Sequence, residues 1–241
     1  MKNILVTGAL RGIGKSVLDV LHNQGYKIIA VYNSTEIDKT IFQKKYPNTE
    51  LYKVDLSSEA EILRFVSEIK DKKLFSIINV AGIALGDAIE TFSLKQWDKT
   101  FAVNLKAPLL LSTMLKDNLE NSGSIVNITS LYGSVYGMNM SLSYSASKAA
   151  LINLTKSLCF QMRDKNIRVN AVSPSIVNTD MTAQDSQEML LEVGRRTAVG
   201  RIAKPEEIAN IVSFLISEKA SYINGQTIIA DGGYSAWDGI Y

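Results

Sequence analysis

A chain of 241 residues, 46% hydrophobic and 21% charged, has the composition of a soluble globular protein that can bury a sizeable core. Its formal net charge of +2 gives no reason to expect nucleic acid or an anionic membrane as a partner. The single cysteine, Cys159, excludes an intrachain disulfide, and with the single histidine, His22, it argues against a zinc site. Met1-Lys2-Asn3 runs straight into an apolar stretch and resembles no signal peptide. No apolar run reaches the roughly 18 residues of a spanning helix, so a cytoplasmic protein is expected.

Short apolar runs alternate with amphipathic stretches up to about residue 175. Ile4–Val6, Ile28–Val31, Leu51–Val54, Ile77–Val80, Ile125–Ile128 and Val169–Val172 read as buried strands, apolar without strict alternation, as parallel strands covered on both faces should be. Helix-length patterns lie between them. After Asp55, for example, Ile62, Leu63, Val66 and Ile69 fall at helical spacing among Glu59, Glu61, Glu68 and Lys70. Repeated βα units predict a single α/β domain, a Rossmann-like doubly wound parallel sheet with helices on both faces. In such sheets ligands sit beyond the carboxyl ends of the strands, so the residues just after each apolar run carry the most information.

After the first run stands Thr7-Gly8-Ala9-Leu10-Arg11-Gly12-Ile13-Gly14-Lys15-Ser16. Gly14-Lys15-Ser16 could close a nucleoside-triphosphate loop, but that loop needs glycine at the position of Ala9. The pattern G-x-G-x-x-G fails as well, because Val17 stands where its last glycine would be. What remains is Gly8-x-x-x-Gly12-x-Gly14 between a strand and a helix. It suits a tight turn at Gly8 and close approach of backbone to a pyrophosphate at a helix N-terminus.

Thr7 to Gly14 resembles the T-G-x-x-x-G-x-G fingerprint of the short-chain dehydrogenase/reductase family, and further motifs follow in order along essentially the whole chain. Asp55, with Leu56, follows the third strand like the family's residue near the adenine ring. Asn79-Val80-Ala81-Gly82 resembles N-N-A-G, with Val80 for the second asparagine. The resemblance implies a dinucleotide-binding part over about 1–130 and a catalytic and substrate part over about 131–241. Cofactor contacts are then expected from Gly8, Arg11, Gly12, Ile13, Gly14, Asn33, Ser34, Asp55, Leu56, Asn79, Ala81, Gly82, Tyr144, Lys148, Val177 and Thr179.

Tyr144 and Lys148, in Tyr144-Ser145-Ala146-Ser147-Lys148, are four residues apart and share a helical face. A tyrosine near its reference pKa of about 10 exchanges protons poorly at neutral pH, and a nearby ammonium should lower that value. Ser130 stands fourteen residues before Tyr144, close to the family's serine-to-tyrosine spacing, and Asn104 matches the asparagine of the family's extended tetrad. The resemblance implies hydride transfer between a nicotinamide cofactor and a carbonyl or secondary alcohol. Ser130 polarises the carbonyl, Tyr144 gives the proton, Lys148 acidifies Tyr144 and binds the nicotinamide ribose, and Asn104 holds a water that resupplies the proton.

After the second strand an acidic residue would favour NAD by accepting from the ribose 2′-hydroxyl. Asn33-Ser34 stands there, nineteen residues beyond Gly14, and Arg11 can meet a 2′-phosphate. Glu36 and Asp38 lie nearby, so NADP(H) is preferred with NAD(H) as the alternative. Asn170 to Met181 matches the family segment beside the nicotinamide, with Pro174-Ser175 where Pro-Gly is usual, a departure expected to alter the turn. Met181 to about Gly200 reads as a lid, and Met138, Met140 and Leu142 fit an apolar substrate.

The nearest subfamily resemblance is to the 3-oxoacyl-[acyl-carrier-protein] reductases. It rests on the Arg11 loop, Thr179-Asp180-Met181, Gly200 to Ala209 and Asp231-Gly232-Gly233. A small-molecule carbonyl substrate, carried or not by an acyl carrier protein, is implied, as is a homotetramer. Lys165 could contribute to a carrier-docking patch, whereas Asn118 to Ser122 offers no cation. Leu151, Leu154 and Leu158 fit core or interface, His22 and Cys159 read as structural, and Trp237 and Tyr241 are candidates for a subunit contact.

Overall fold

A computed structural model of the chain describes residues 1–135 and 141–236. Seven strands form one sheet: β1 (Asn3–Thr7), β2 (Lys27–Tyr32), β3 (Thr49–Lys53), β4 (Leu74–Asn79), β5 (Leu119–Ile128), β6 (Arg168–Pro174) and β7 (Thr227–Ala230). Their order is β3-β2-β1-β4-β5-β6-β7, and every pairing is parallel. Strand order reverses between β1 and β4, so the crevice beyond their carboxyl ends is the switch point where this architecture binds ligands.

Eight α-helices cover the sheet among the described residues: α1 (Gly12–Asn23), α2 (Lys39–Lys45), α3 (Glu59–Glu68), α4 (Leu94–Phe101), α5 (Ala107–Met114), α6 (Leu142–Gln161), α7 (Gln187–Arg195) and α8 (Pro205–Ile216). The pleat divides each strand between two cores. Ile4, Val6, Ile28, Ala30, Ile78 and Val126 face Val17, Leu18 and Leu21 of α1 and Ile208, Val212 and Leu215 of α8. Leu5, Ile29, Ile77, Ile125 and Val169 face Ile62 and Phe65 of α3, Leu111 of α5 and Leu158 of α6. Burial on both faces explains why the sequence runs are almost purely apolar.

The six expected strands are present, each displaced or lengthened by a few residues. β7 was not foreseen; it is four residues long and only partly buried, too short to stand out. In α3 the buried residues are Ile62 and Phe65, while Leu63, assigned by spacing to the apolar face, is 42% exposed. Leu151 and Leu158 of α6 belong to the core. Cys159 is buried and donates to the Lys156 carbonyl, and His22 packs edge-on to Tyr46. Met138, Met140, Trp237 and Tyr241 lie outside the described residues.

Candidate active site

Three loops meet at the switch point, and glycines let them touch. Gly8 and Gly12 have φ of +65° and +51°, where a side chain is strained. A Cβ on Gly8 would lie 3.0 Å from the Ala81 α-carbon, one on Gly12 would lie 3.3 Å from Thr179, and one on Gly14 would lie 2.0 Å from the Gly8 carbonyl oxygen. The loop after β1 thus packs on the loop after β4, on the segment after β6 and on itself. The Thr7 hydroxyl accepts from the N–H groups of Val80 (3.0 Å) and Ala81 (3.1 Å), fixing the second loop. Arg11 is the N-cap residue of α1 but offers no capping side chain, and the first turn carries no acidic residue. The N–H groups of Gly12, Ile13 and Gly14 are suited to an anion.

Lys15, the residue that raised the triphosphate alternative, is turned away from this loop. Its ammonium donates to Asp19 (2.5 Å) and to the Tyr46 hydroxyl (2.7 Å).

The chemistry-bearing side chains come from β5, α6 and the turn between α4 and α5. That turn, Ala102–Lys106, is a single π-helical turn, an irregularity common at functional sites. It carries Asn104, which is fully buried: Nδ2 donates to the Ile83 carbonyl (2.9 Å) and to Ser147 Oγ (3.0 Å), and Oδ1 accepts from the Ile83 N–H (2.9 Å). Asn104 thus directs its side chain outside its own helix and clamps the loop after β4 to α6.

Lys148, 3% exposed, donates to the Ile128 carbonyl (2.7 Å) at the end of β5, and its Nζ lies 5.7 Å from the centroid of the Tyr144 ring. A Cβ on Gly82 would sit 3.2 Å from that Nζ and 3.5 Å from Asn104 Oδ1, so only glycine leaves this space clear. Ser130 caps the short turn Leu131–Gly133, accepting from the Tyr132 N–H (3.2 Å), and its side chain also hydrogen-bonds the Tyr144 phenol. Lys148 and Asn104 thus flank Gly82, and Tyr144 joins them through the Lys148 ammonium on one side and Ser130 on the other.

The electrostatics differ from the expectation. Burial pushes the Tyr144 phenol above its ordinary value, and the opposing influence is the Ser130 hydrogen bond rather than Lys148. The reason is that the same burial lowers Lys148 to about 8, disfavouring its own charge.

Asn33 and Ser34 are exposed beyond β2, and Glu36 is exposed beside them. Asp38 is committed to its own helix, accepting from Thr40 and Ile41 N–H groups at the start of α2. Asp55 accepts from the Ser57 hydroxyl and N–H, which hold its carboxyl below the usual range, and Leu56 is buried. The Asn79 side chain is buried and donates to Asn127 (2.8 Å), which leaves the backbone of this residue for a cofactor contact. Val177 is buried, its carbonyl accepting from the Thr182 hydroxyl (2.9 Å), and the Thr182 hydroxyl oxygen accepts in turn from the Thr179 N–H (3.0 Å). Ser175, expected to alter its turn, sits outside the left-handed region, with its N–H on the Ala230 carbonyl (3.2 Å); serine meets no strain there.

A family model described as Enoyl-(Acyl carrier protein) reductase, of the short-chain dehydrogenase/reductase type, matches residues 8–235. The chain belongs to the short-chain dehydrogenases/reductases. It is 35% identical over 237 residues to a 3-oxoacyl-[acyl-carrier-protein] reductase of Aquifex aeolicus, covering 95% of each chain. It is 31% identical over 239 residues to an NAD-dependent glycerol dehydrogenase of Listeria innocua, covering 97% of this chain and 94% of that one. A solved short-chain dehydrogenase from Burkholderia cenocepacia in complex with NADP superposes with a TM-score of 0.91 at 26% identity, over 97% of this chain and 98% of that one. This short-chain dehydrogenase is an oxidoreductase of a family that binds nicotinamide cofactors.

Several residues of the site escaped the sequence reading. Ser147 lies within a quoted motif and Thr182 just beyond one, but both act through hydrogen bonds that no spacing announces. Tyr132, half-buried beside Ser130, has its phenol pushed up by burial and then by the nearness of Tyr234, Tyr144 and Asp185, which sets it at the same crevice. Lys165, considered for a docking patch, instead donates to the Lys116 (2.8 Å) and Leu119 (3.1 Å) carbonyls. Leu142 is 42% exposed. No helix among the described residues is long and apolar enough to cross a membrane, and no group of three or more metal-ligating side chains forms among them.

Proposed function

We propose that the protein is an NADP(H)-dependent cytoplasmic reductase of a ketone, a 3-oxoacyl thioester, working as a homotetramer. The observation that carries the catalytic reading is a chain of neighbours: Lys148 and Asn104 border the space left open by Gly82, Lys148 lies over the Tyr144 ring, and Ser130 hydrogen-bonds the Tyr144 phenol. The glycine cradle fits a dinucleotide. Gly8, Gly12 and Gly14 admit close backbone approach, the first turn of α1 presents N–H groups to the pyrophosphate, and Asp55, Leu56 and backbone at Asn79, Ala81 and Gly82 line the adenosine side. Val177 and Thr179 face the nicotinamide end, and residues 1–130 and 131–241 divide the labour between cofactor and substrate. When bound, the cofactor supplies the hydride.

The protein's own groups handle the proton and the geometry. Ser130 offers its hydroxyl to the carbonyl oxygen and to the Tyr144 phenol. Burial keeps Tyr144 protonated at neutral pH, so its phenol holds the proton the alkoxide requires. Lys148, fixed on the Ile128 carbonyl, provides a cationic donor beside the phenol, and Asn104 keeps the loop carrying Ala81 and Gly82 against α6. Arg11, together with the absence of a free carboxylate at Asn33 and Ser34, supports NADP(H) over NAD(H).

The likeness to the Aquifex aeolicus reductase supports an acyl thioester. A polyol or sugar carbonyl is the second reading, favoured by the likeness to the Listeria innocua glycerol dehydrogenase. NADPH oxidation against acetoacetyl thioester, sugar and steroid ketones tests these readings together. Turnover is expected with at least one ketone and is expected to fall about 10³-fold in Tyr144→Phe, within the range for general acid catalysis, while NADPH affinity holds. Near-wild-type turnover by that variant overturns the assignment. NADPH binding without reduction of any panel ketone points to a non-catalytic NADP-binding sensor.

A further inference from the structure

The phenol that donates the proton sits on the third residue of α6. The first turn of a helix is its weakest part, because its N–H groups have no partners within the helix and it frays. In this chain that turn is held from outside. The Asp87 carbonyl accepts from the Leu142 N–H (3.1 Å), and the Asp87 carboxylate accepts from the Ser143 N–H (3.0 Å), from the Ser143 hydroxyl (2.8 Å) and from the Ser141 hydroxyl. Ser141 Oγ in turn accepts from the Tyr144 N–H (3.2 Å). Asp87, Ser141 and Ser143 are 1%, 6% and 0% exposed, so water does not compete for these bonds.

Asp87 is also tied to the rest of the site. It lies four residues after Ile83, whose N–H and carbonyl are both bonded to Asn104. Asn104 reaches back to Ser147 of α6, whose hydroxyl donates to the Tyr144 carbonyl (2.8 Å). The segment 83–87 therefore closes a ring of contacts: Asn104, Ile83, Asp87, the Ser141–Ser143 turn, Tyr144, Ser147 and back to Asn104. A buried carboxylate is costly unless it is fully bonded. This one spends all its bonds on the turn that carries the phenol, and the positive end of the α6 dipole faces it.

We infer that Asp87 is a positioning residue for Tyr144, locking the start of α6 to the loop after β4 so that the phenol and the Asn104 clamp keep one register. The inference rests on the proposed role of Tyr144 as proton donor. The experiment uses the panel ketone that the wild-type protein reduces fastest. In Asp87→Ala, kcat is expected to fall about tenfold or more at a temperature where the variant is folded, since small misplacements of a reacting group cost this much. NADPH affinity, measured by fluorescence, should stay within about twofold, and amide exchange at residues 142–145 should accelerate. Asp87→Asn, which keeps an acceptor for the Ser143 N–H, should give an intermediate rate.

Wild-type kcat in Asp87→Ala overturns the inference, as does a parallel loss of NADPH affinity or an Asp87→Asn rate no better than alanine. If Asp87→Ala does not fold, the double variant Ser141→Ala, Ser143→Ala decides. It should lose about threefold or more in kcat with NADPH affinity retained, and wild-type kcat there overturns the inference. Tyr144→Phe run alongside separates the two layers. Full turnover in that variant removes the proton-donor reading, whereas an inactive Tyr144→Phe beside an unimpaired Asp87→Ala removes only the role of Asp87.

Discussion

The loop after β1 and the start of α6 face one crevice, yet they are built from opposite materials. The loop works by what it lacks: Gly8, Gly12 and Gly14 remove side chains so that backbone can touch Ala81, Thr179 and Gly8 itself. The α6 side works by what it covers: Lys148 and Ser147 are buried, Tyr144 is half-buried, and hydrogen bonds to Ile128, Asn104 and Ser130 direct their polar atoms. The first region is a steric device and the second an electrostatic one. They should fail in different ways.

The largest expected effect separates them. Gly14→Ala places a methyl 2.0 Å from the Gly8 carbonyl oxygen, which the backbone cannot accommodate without moving the start of α1. The cost should reach about 3 kcal/mol, the upper end for overpacking. That corresponds to a fall of about 6–12 °C in melting temperature for a chain of this size. Nucleotide binding should fall with it. A variant that melts and binds NADPH like the wild type would show that the loop is not held by contact.

The same contrast explains what the sequence disclosed. Glycines at fixed offsets after an apolar run signal a backbone device directly, so the loop, the parallel sheet and the crevice could be read in advance. Tyr144 and Lys148 were legible as a pair, but their electrostatics were not, because burial is a property of the packed protein. Spacing predicted that Lys148 would acidify Tyr144; in the fold both are desolvated, and burial moves the phenol up and the ammonium down. The partner of the Asn79 side chain was hidden for a related reason. Its motif position is right, but the pleat turns its side chain toward Asn127. The π-helical turn at Asn104 and the partners of Asp87 have no local pattern at all, since each depends on residues more than twenty positions away.

An intermediate effect sharpens the electrostatic half. Lys148 titrates at about 8 in the folded protein against an ordinary 10.5. Between these values the unfolded chain binds more protons than the folded one, so this group makes stability rise with pH across that window. The gain attributable to Lys148 should approach about 3 kcal/mol. Urea unfolding of the wild type and of Lys148→Met at pH 7.5 and pH 10.5 isolates it, because groups common to both cancel. The wild type should gain on the variant as pH rises. A constant difference would mean that Lys148 keeps its ordinary value and that the α6 side is less desolvated than its burial implies.

The smallest expected effect belongs to the one charged side chain of the glycine loop. Arg11 is exposed at the head of α1, and its side chain caps nothing. Removing it should leave fold and sterics alone, unlike Gly14→Ala. No carboxylate stands at Asn33 or Ser34, and Asp38 is occupied by the Thr40 and Ile41 N–H groups, so Glu36, exposed nearby, is the anion that the action of Arg11 on a 2′-phosphate must outweigh. One charge-assisted bond in partly exposed surroundings amounts to about 1.5 kcal/mol, which is roughly tenfold in KM. Arg11→Ala should therefore raise KM for NADPH about tenfold and change KM for NADH less than twofold, with the NADPH effect shrinking as salt is added. Equal changes for both cofactors would mean that Arg11 meets the shared pyrophosphate instead, and the loop would then bind by charge as well as by shape.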